Sequence, residues 1–157
     1  MIKIKGNYII LLILLLACLF RLGSYNIVPL FSDTANYARI SAEISKGDYW
    51  LTGPNASDKP PVFFYVQAAF FALFGVHDSV ALLPSFLAGL IGVVFVYAIG
   101  KQVHGEVAGR WAAFMMAISP TAVEMSGVGL VDGLLVTTIL WSFWLLLKQH
   151  FFWGGVA

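Results

Sequence analysis

The chain has 157 residues, 60% of them hydrophobic and only 11% charged, with a mean hydropathy of +0.86, a balance that excludes an ordinary soluble domain of this size. The formal net charge of +1 provides no basic field for nucleic acid, and the chain carries no acidic tail. A single cysteine, Cys18, excludes an intrachain disulfide and a cysteine-built metal site.

The first apolar stretch, Tyr8 to Leu22, follows Lys3 and Lys5. Leu15-Leu16-Ala17-Cys18 is close to a bacterial lipoprotein cleavage box, so a cleaved signal competes with an uncleaved span. The box is imperfect and the rest of the chain is equally apolar, which favours a helix that stays, anchored by inner lysines. Three more stretches have the length a bilayer demands, giving expected transmembrane helices over residues 8–22, 79–100, 107–125 and 130–147. A fifth run, Pro61 to Phe74, would reach only about 21 Å as a helix, against a hydrocarbon core of about 30 Å.

Charge parity separates the two topologies. With four spans, Lys3 and Lys5, the loop from Lys101 to Arg110, and Lys148 all fall on the cytoplasmic side, as the positive-inside rule requires. A fifth span would move two of these groups outside. The fold class expected is therefore an all-α, multi-pass integral protein of the plasma (inner) membrane with a cytoplasmic N-terminus. Residues 23–78 form its first extracytoplasmic loop. Pro61 to Phe74 is expected to lie in the outer interface, where Phe63, Phe64, Tyr65, Phe70, Phe71 and Phe74 suit the headgroup boundary.

Within that loop, Asp33 to Lys46 predicts a short amphipathic helix ending at Gly47, with Ser32 or Asp33 as its N-cap. Arg39 and Glu43, four apart, are expected to pair on its surface. Thr52-Gly53-Pro54-Asn55 reads as a turn, and Lys59-Pro60-Pro61 leads into the interfacial helix. Ser119-Pro120 bends or ends the third span.

Three ionisable residues stand out. Asp33 on position alone is most simply a helix cap. Asp132, near the outer end of the last span, is either a cap or a functional carboxylate, because charge at a membrane boundary is costly. Lys59, on a proline-stiffened turn at headgroup depth, suits a lipid phosphate, or it is an ordinary interfacial lysine paired with Asp58. The four-span topology places all three on one face. Glu124 is as costly as Asp132 but can reach the interface. His77, His104 and His150 fall on loops of differing sidedness, with no metal-ligand spacing. There is no phosphate-cradling glycine loop, nucleophile elbow or HExxH. Asn55-Ala56-Ser57 is a glycosylation sequon, meaningful in a eukaryotic secretory setting.

The order of a first span, Ser32-Asp33-Thr34-Ala35-Asn36-Tyr37-Ala38, then Asp58-Lys59-Pro60-Pro61-Val62, then Ser119-Pro120 and Leu130-Val131-Asp132 resembles the GT-C glycosyltransferases. More narrowly it resembles the protein O-mannosyltransferase and lipid A aminoarabinose transferase superfamily. The resemblance runs from about Ile9 to Leu147, and its Asp-x-x-x-Tyr and Lys-Pro-Pro elements are specific only together. It implies transfer of a sugar from a polyprenyl-phosphate carrier to an acceptor glycan, lipid or protein outside the cytoplasm. By the same resemblance Asp33 is the catalytic carboxylate, Lys59 contacts the carrier phosphate, and Asp132 supports the site or positions the acceptor. Tyr37 lies at the substrate site or packs beneath it. No divalent cation is specified.

Two departures bear on substrate. The residue after the loop aspartate is often acidic in the family and is Thr34 here, and the position of Asn36 is often arginine. Family members also continue through many more spans, so residues 1–157 are expected to be an N-terminal module, a truncated product or one half of a split enzyme, with a second polypeptide completing the fold. A non-catalytic membrane interaction subunit, or a transporter piece using Glu124 and Asp132, are the alternatives.

Overall fold

A computed structural model describes residues 7–25, 32–52 and 59–148. The Gly53-Pro54-Asn55 part of the predicted turn, the sequon, Asp58, His150 and the N-terminal lysines lie outside the described residues. Every regular element among the described residues is a helix: α1 (Asn7–Ser24), α2 (Ser32–Ser45), α3 (Val62–Phe74), α4 (Asp78–Ile118), α5 (Pro120–Gly127) and α6 (Val131–Leu147).

The 41 residues of α4 are two helices joined at Gly105, whose φ of 85° and ψ of 178° leave the helical region at a residue without a Cβ. The halves, residues 78–104 and 106–118, fold back on each other. A Cβ on Gly109 would lie 2.7 Å from the Tyr97 carbonyl oxygen and 2.8 Å from the Lys101 nitrogen, so the backbones meet there with no room for a side chain. Beyond that contact Val93, Ala113 and Ala117 pack with Ile13 and Ala17 of α1.

The expected helix over 107–125 is corrected at its end. Ser119 is extended (φ −60°, ψ 120°) and Pro120 opens a new helix, so the second half of α4 stops at Ile118. Proline has no N–H to continue the previous ladder, whereas at the first position of a helix that donor is not needed. Then α5 and α6 meet at a bend of 119°. By length and apolarity one helix, Asp78–Ile118, is sufficient to cross a membrane, or two if the bent pair counts as one broken span; α1 and α3 are shorter apolar helices. Length alone thus supports fewer crossings than the four expected. The surface is nonetheless apolar along α1, where Leu11, Leu12, Leu15, Leu19 and Leu22 are all exposed, as on a lipid-facing helix.

One buried charge ties this bundle together. Arg21, in the last turn of α1, is fully buried. Its Nε donates to Ser126 Oγ of α5 at 3.2 Å, and its Nη1 to the carbonyls of Ala17 at 3.2 Å and Ala117 at 3.4 Å. Ala117 is one residue from the end of α4, where carbonyls lack an intrahelical partner. Ser126 in turn donates to the Ala122 carbonyl at 2.7 Å. The guanidinium therefore bonds α1, the end of α4 and α5 at once. Gly89 makes room for it: a Cβ there would stand 2.9 Å from Arg21 Nε and 2.0 Å from Ser126 Oγ.

A second polar relay fixes α2 and α3. Ser41 donates to Gln67 Oε1 at 2.7 Å, and Gln67 Nε2 donates to the Ala81 carbonyl at 2.7 Å, with Ser41 and Gln67 both fully buried. The amide satisfies its neighbours on both sides, as a buried polar group must. Around it Phe63 and Phe64 pack with Tyr37, Ile40 and Ile44, while Phe71 packs with Val80 and Ala81. Helix α3 has nearly its expected bounds, but Phe63, Phe64 and Phe71 face protein rather than headgroups; Val62, Tyr65, Leu73 and Phe74 are its exposed large side chains. The cause is α2, which covers one face of α3 and needs an apolar partner for Ile40 and Ile44. As expected, Arg39 pairs with Glu43, at 2.5 Å. The amides of Gly47 and Asp48 close the end of α2 on the Ile44 and Glu43 carbonyls.

At the Gly105 turn, Glu106 accepts from Tyr97 Oη at 2.5 Å, Lys101 at 2.7 Å and Arg110 at 3.1 Å. These partners, Lys101 and Tyr97 foremost, hold its carboxyl down at about 2 against an ordinary 4.5. A depressed carboxyl stabilises the fold above its unfolded pKa and loses that contribution as pH falls through the folded one. The unfolding midpoint should therefore fall between pH 4.5 and 2 more steeply in the native chain than in Glu106→Gln, measured by circular dichroism in detergent. Gly89→Ala should cost about 1–3 kcal/mol by overpacking, read as a lower midpoint in the same assay.

Candidate functional site

Four side chains singled out in the sequence line one open cavity of about 500 Å³: Asp33, Tyr37, Lys59 and Asp132. Three separate segments bring them there. Helix α2 carries Asp33 in its first turn and Tyr37 one turn later on the same side. Asp33 is exposed within the helix rather than capping it, since α2 already begins at Ser32. Lys59 and Pro60 lie on the approach to α3, where Pro61, with helical φ −73° and ψ −15°, precedes Val62. Asp132 is the second residue of α6, following an extended Leu130 (φ −87°, ψ 158°).

The elbow from Val128 to Leu130 that delivers Asp132 is pinned from two sides. Thr34 Oγ1 donates to the Val128 carbonyl at 2.6 Å, and Ser85 Oγ to the Leu130 carbonyl at 2.7 Å. Between them Gly129 turns with φ 68°, and a Cβ on it would meet Leu82 Cδ2 at 2.8 Å and Thr34 Cγ2 at 2.9 Å. Nearly two turns into α6, Thr137 donates to the Ala88 carbonyl at 2.7 Å. Asp132 thus stands on an element fixed to both α2 and α4. It also borders a second cavity of about 260 Å³, between α5 and α6, to which Ser119, Thr121, Ser126 and Thr137 contribute.

Tyr37 contributes a mostly buried ring, 6% exposed, at 6.2 Å and 71° to Phe63 and at 5.4 Å and 57° to Phe64. It is a wall of the cavity and part of the core beneath. The remaining lining is mostly apolar, from Val62, Phe63, Leu130, Val131, Leu134 and Leu135, with Thr138 adding a hydroxyl-bearing side chain. The chemistry offered is that of an amphiphile site, with two carboxylates and an ammonium along an apolar wall. Both carboxylates sit in the first turn of a helix. Among the described residues, no group of three or more His, Cys, Asp or Glu side chains could hold a metal ion.

Three further polar residues lie apart from the cavity. Asn36 Oδ1 accepts from Arg39 Nη2 at 3.0 Å. Thr34 is fully buried and directed at the elbow instead of the cavity. Glu124 is exposed and does not line the main cavity. Sequence reasoning overlooked Arg21, Thr34 as an anchor, Ser85 and Gln67. A signal existed for two of them: Arg21 is a cation in the last turn of an apolar run, and Gln67 is the one amide in α3.

Comparison with known proteins gives a consistent set of likenesses. Residues 58–151 match the family model "Dolichyl-phosphate-mannose-protein mannosyltransferase". The chain is 36% identical over 149 residues to "Putative mannosyltransferase YkcB" of Bacillus subtilis (strain 168), covering 89% of this chain and 20% of that protein. It is 35% identical over 139 residues to "Putative mannosyltransferase YycA" of the same organism, covering 83% of this chain and 20% of that protein. The chain therefore spans about a fifth of the length of these curated relatives. No solved structure matches.

Thr34→Val keeps the shape of the side chain but leaves the Val128 carbonyl without its donor. It should cost about 1–3 kcal/mol, read as a lower unfolding midpoint, and Thr34→Ser should recover most of the loss.

Proposed function

We propose, since this chain belongs to the dolichyl-phosphate-mannose-protein mannosyltransferase family, that it carries the site of a glycosyltransferase acting at the extracytoplasmic face of the membrane. The donor is a sugar on a polyprenyl phosphate and the acceptor a hydroxyl-bearing glycan, lipid or protein. The observation that carries this reading is the single cavity shared by Asp33, Tyr37, Lys59 and Asp132, with its apolar wall. That pairing of polar groups with hydrocarbon surface fits a phosphate joined to an isoprenoid.

In this reading the acceptor oxygen attacks the anomeric carbon and the bond from that carbon to the phosphate oxygen breaks. Asp33 takes the acceptor proton as general base. The leaving group departs as polyprenyl phosphate, and Lys59 stabilises the negative charge it gains. Asp132, on the fixed elbow, positions the acceptor. Tyr37 shapes the wall between them. The four-span topology, with an outer loop holding α2 and α3, belongs to the same proposal and puts these groups at headgroup depth.

The fraction of the relatives covered, about a fifth, supports a second element of the reading: the chain is the site-bearing module of a longer enzyme, or is completed by another polypeptide.

Asp33→Asn removes the base with little change in size. In membranes carrying the complete enzyme it should lower kcat for sugar transfer by a factor of roughly 10²–10⁴ at unchanged expression; transfer at the native rate would defeat the assignment. Lys59→Ala should raise KM for the lipid-linked donor as well as slow release of the phosphate. Donor binding at full affinity in that variant would argue against the phosphate contact.

A further inference from the structure

The far end of the molecule has a cavity of its own. At 1.5 Å per residue, α4 carries the Gly105 turn ~30 Å from Ser85, which bonds the elbow. Near that turn α1 and the second half of α4 leave a groove of about 430 Å³, lined by Ile9, Ile13, Val107, Arg110, Trp111 and Phe114. Five of these are apolar and one is a cation. Arg110 donates through Nη2 to Glu106, while its Nε is buried with no acceptor among the described residues. Glu106 is already shared with Lys101 and Tyr97. Two cations on one carboxylate leave surplus positive charge at the head of the groove. Trp111 is 60% exposed beside it, where an amphipathic ring suits the boundary between tails and headgroups.

We propose that this groove binds an anionic phospholipid, its acyl chain along Ile9, Ile13 and Phe114 and its phosphate against the guanidinium of Arg110. Arg is suited to that partner because its planar fork bonds phosphate oxygens and carries less hydration than an ammonium. The groove itself explains why the ligand has a tail: a free phosphate would meet the cation and leave the apolar walls unused. The inference is independent of the glycosyl-transfer chemistry. It rests only on the part of the proposed function that places the chain in a bilayer.

The test uses two variants of the chain in phosphatidylcholine nanodiscs, one retaining Trp111 and one retaining Trp141, with the other four of the five tryptophans changed to Phe. Trp141, 43% exposed on α6, reports contact with bulk lipid. Phosphatidylglycerol or phosphatidylcholine with brominated tails is added at equal mole fraction. Trp111 should be quenched about fivefold more effectively by the anionic lipid, in line with the attraction of one basic residue to an anionic membrane. Trp141 should not distinguish the two. Arg110→Gln should abolish the preference and Arg110→Lys keep part of it. Equal quenching of Trp111 by both lipids, or a preference that survives Arg110→Gln, would overturn the inference. So would a Trp111 shielded from both lipids while Trp141 is quenched, since a protein segment would then fill the groove. Quenching at neither tryptophan would overturn the inference together with the membrane reading beneath it.

Discussion

A guanidinium with no acidic partner among the described residues, sealed between three helices, is the constraint on which the architecture depends. A charge taken out of water demands hydrogen bonds wherever they can be found. Arg21 finds them on α1, at the end of α4 and on α5. The helix end at Ala117 supplies a carbonyl only because Pro120 terminates the ladder just beyond it. The glycine at position 89 is the complementary requirement, since any side chain there would occupy the space of the Arg21 and Ser126 polar atoms. The end of α4 and the burial of this cation are one event seen from two sides.

From that anchor, polar pins extend to the candidate site. Ser126 is held by Arg21, and six residues later Asp132 enters the cavity. Thr34 and Ser85 hold the intervening elbow, and Ser41 with Gln67 locks α2 and α3 onto α4. In an apolar bundle the packing forces are nearly isotropic, so buried hydrogen bonds are what select one arrangement of helices over its neighbours. Apart from Lys59 and Pro60 on the approach to α3, the cavity walls come from elements whose mutual placement is set by such bonds.

The sequence made the elements legible and their partners much less so. The bounds of α1, α2, α3 and α6 follow from apolar run length, Gly47, Pro61 and the Leu130 region, because these are local signals. The third predicted span overran Ile118 because apolar residues continue through Val123, and apolarity does not record a change of direction. The aromatics of α3 were assigned to an interface on composition. Whether Phe63 meets a headgroup or Tyr37 is decided by α2, about 26 residues away in sequence, a pairing that periodicity cannot encode. At the site, Asp33, Lys59 and Asp132 were conspicuous because charge is expensive in such a chain. Thr34, Ser85 and Gln67 were not, since their importance lies in a bond to a distant carbonyl or hydroxyl.

The polar pins differ greatly in how far along the chain they reach. The cluster around Glu106 closes within 14 residues, Tyr97 to Arg110, whereas Arg21 to Ser126 spans 105 positions and Thr34 to Val128 spans 94. Closing long loops carries the larger entropic cost. The Gly105 hairpin is therefore the cheaper closure, and the cavity, whose walls come from positions 33 to 138, the costlier one. A partly folded chain presents the carboxylates and the lysine separately. Only the completed helical bundle brings them together, so the assembly of this site is itself a readout of correct folding.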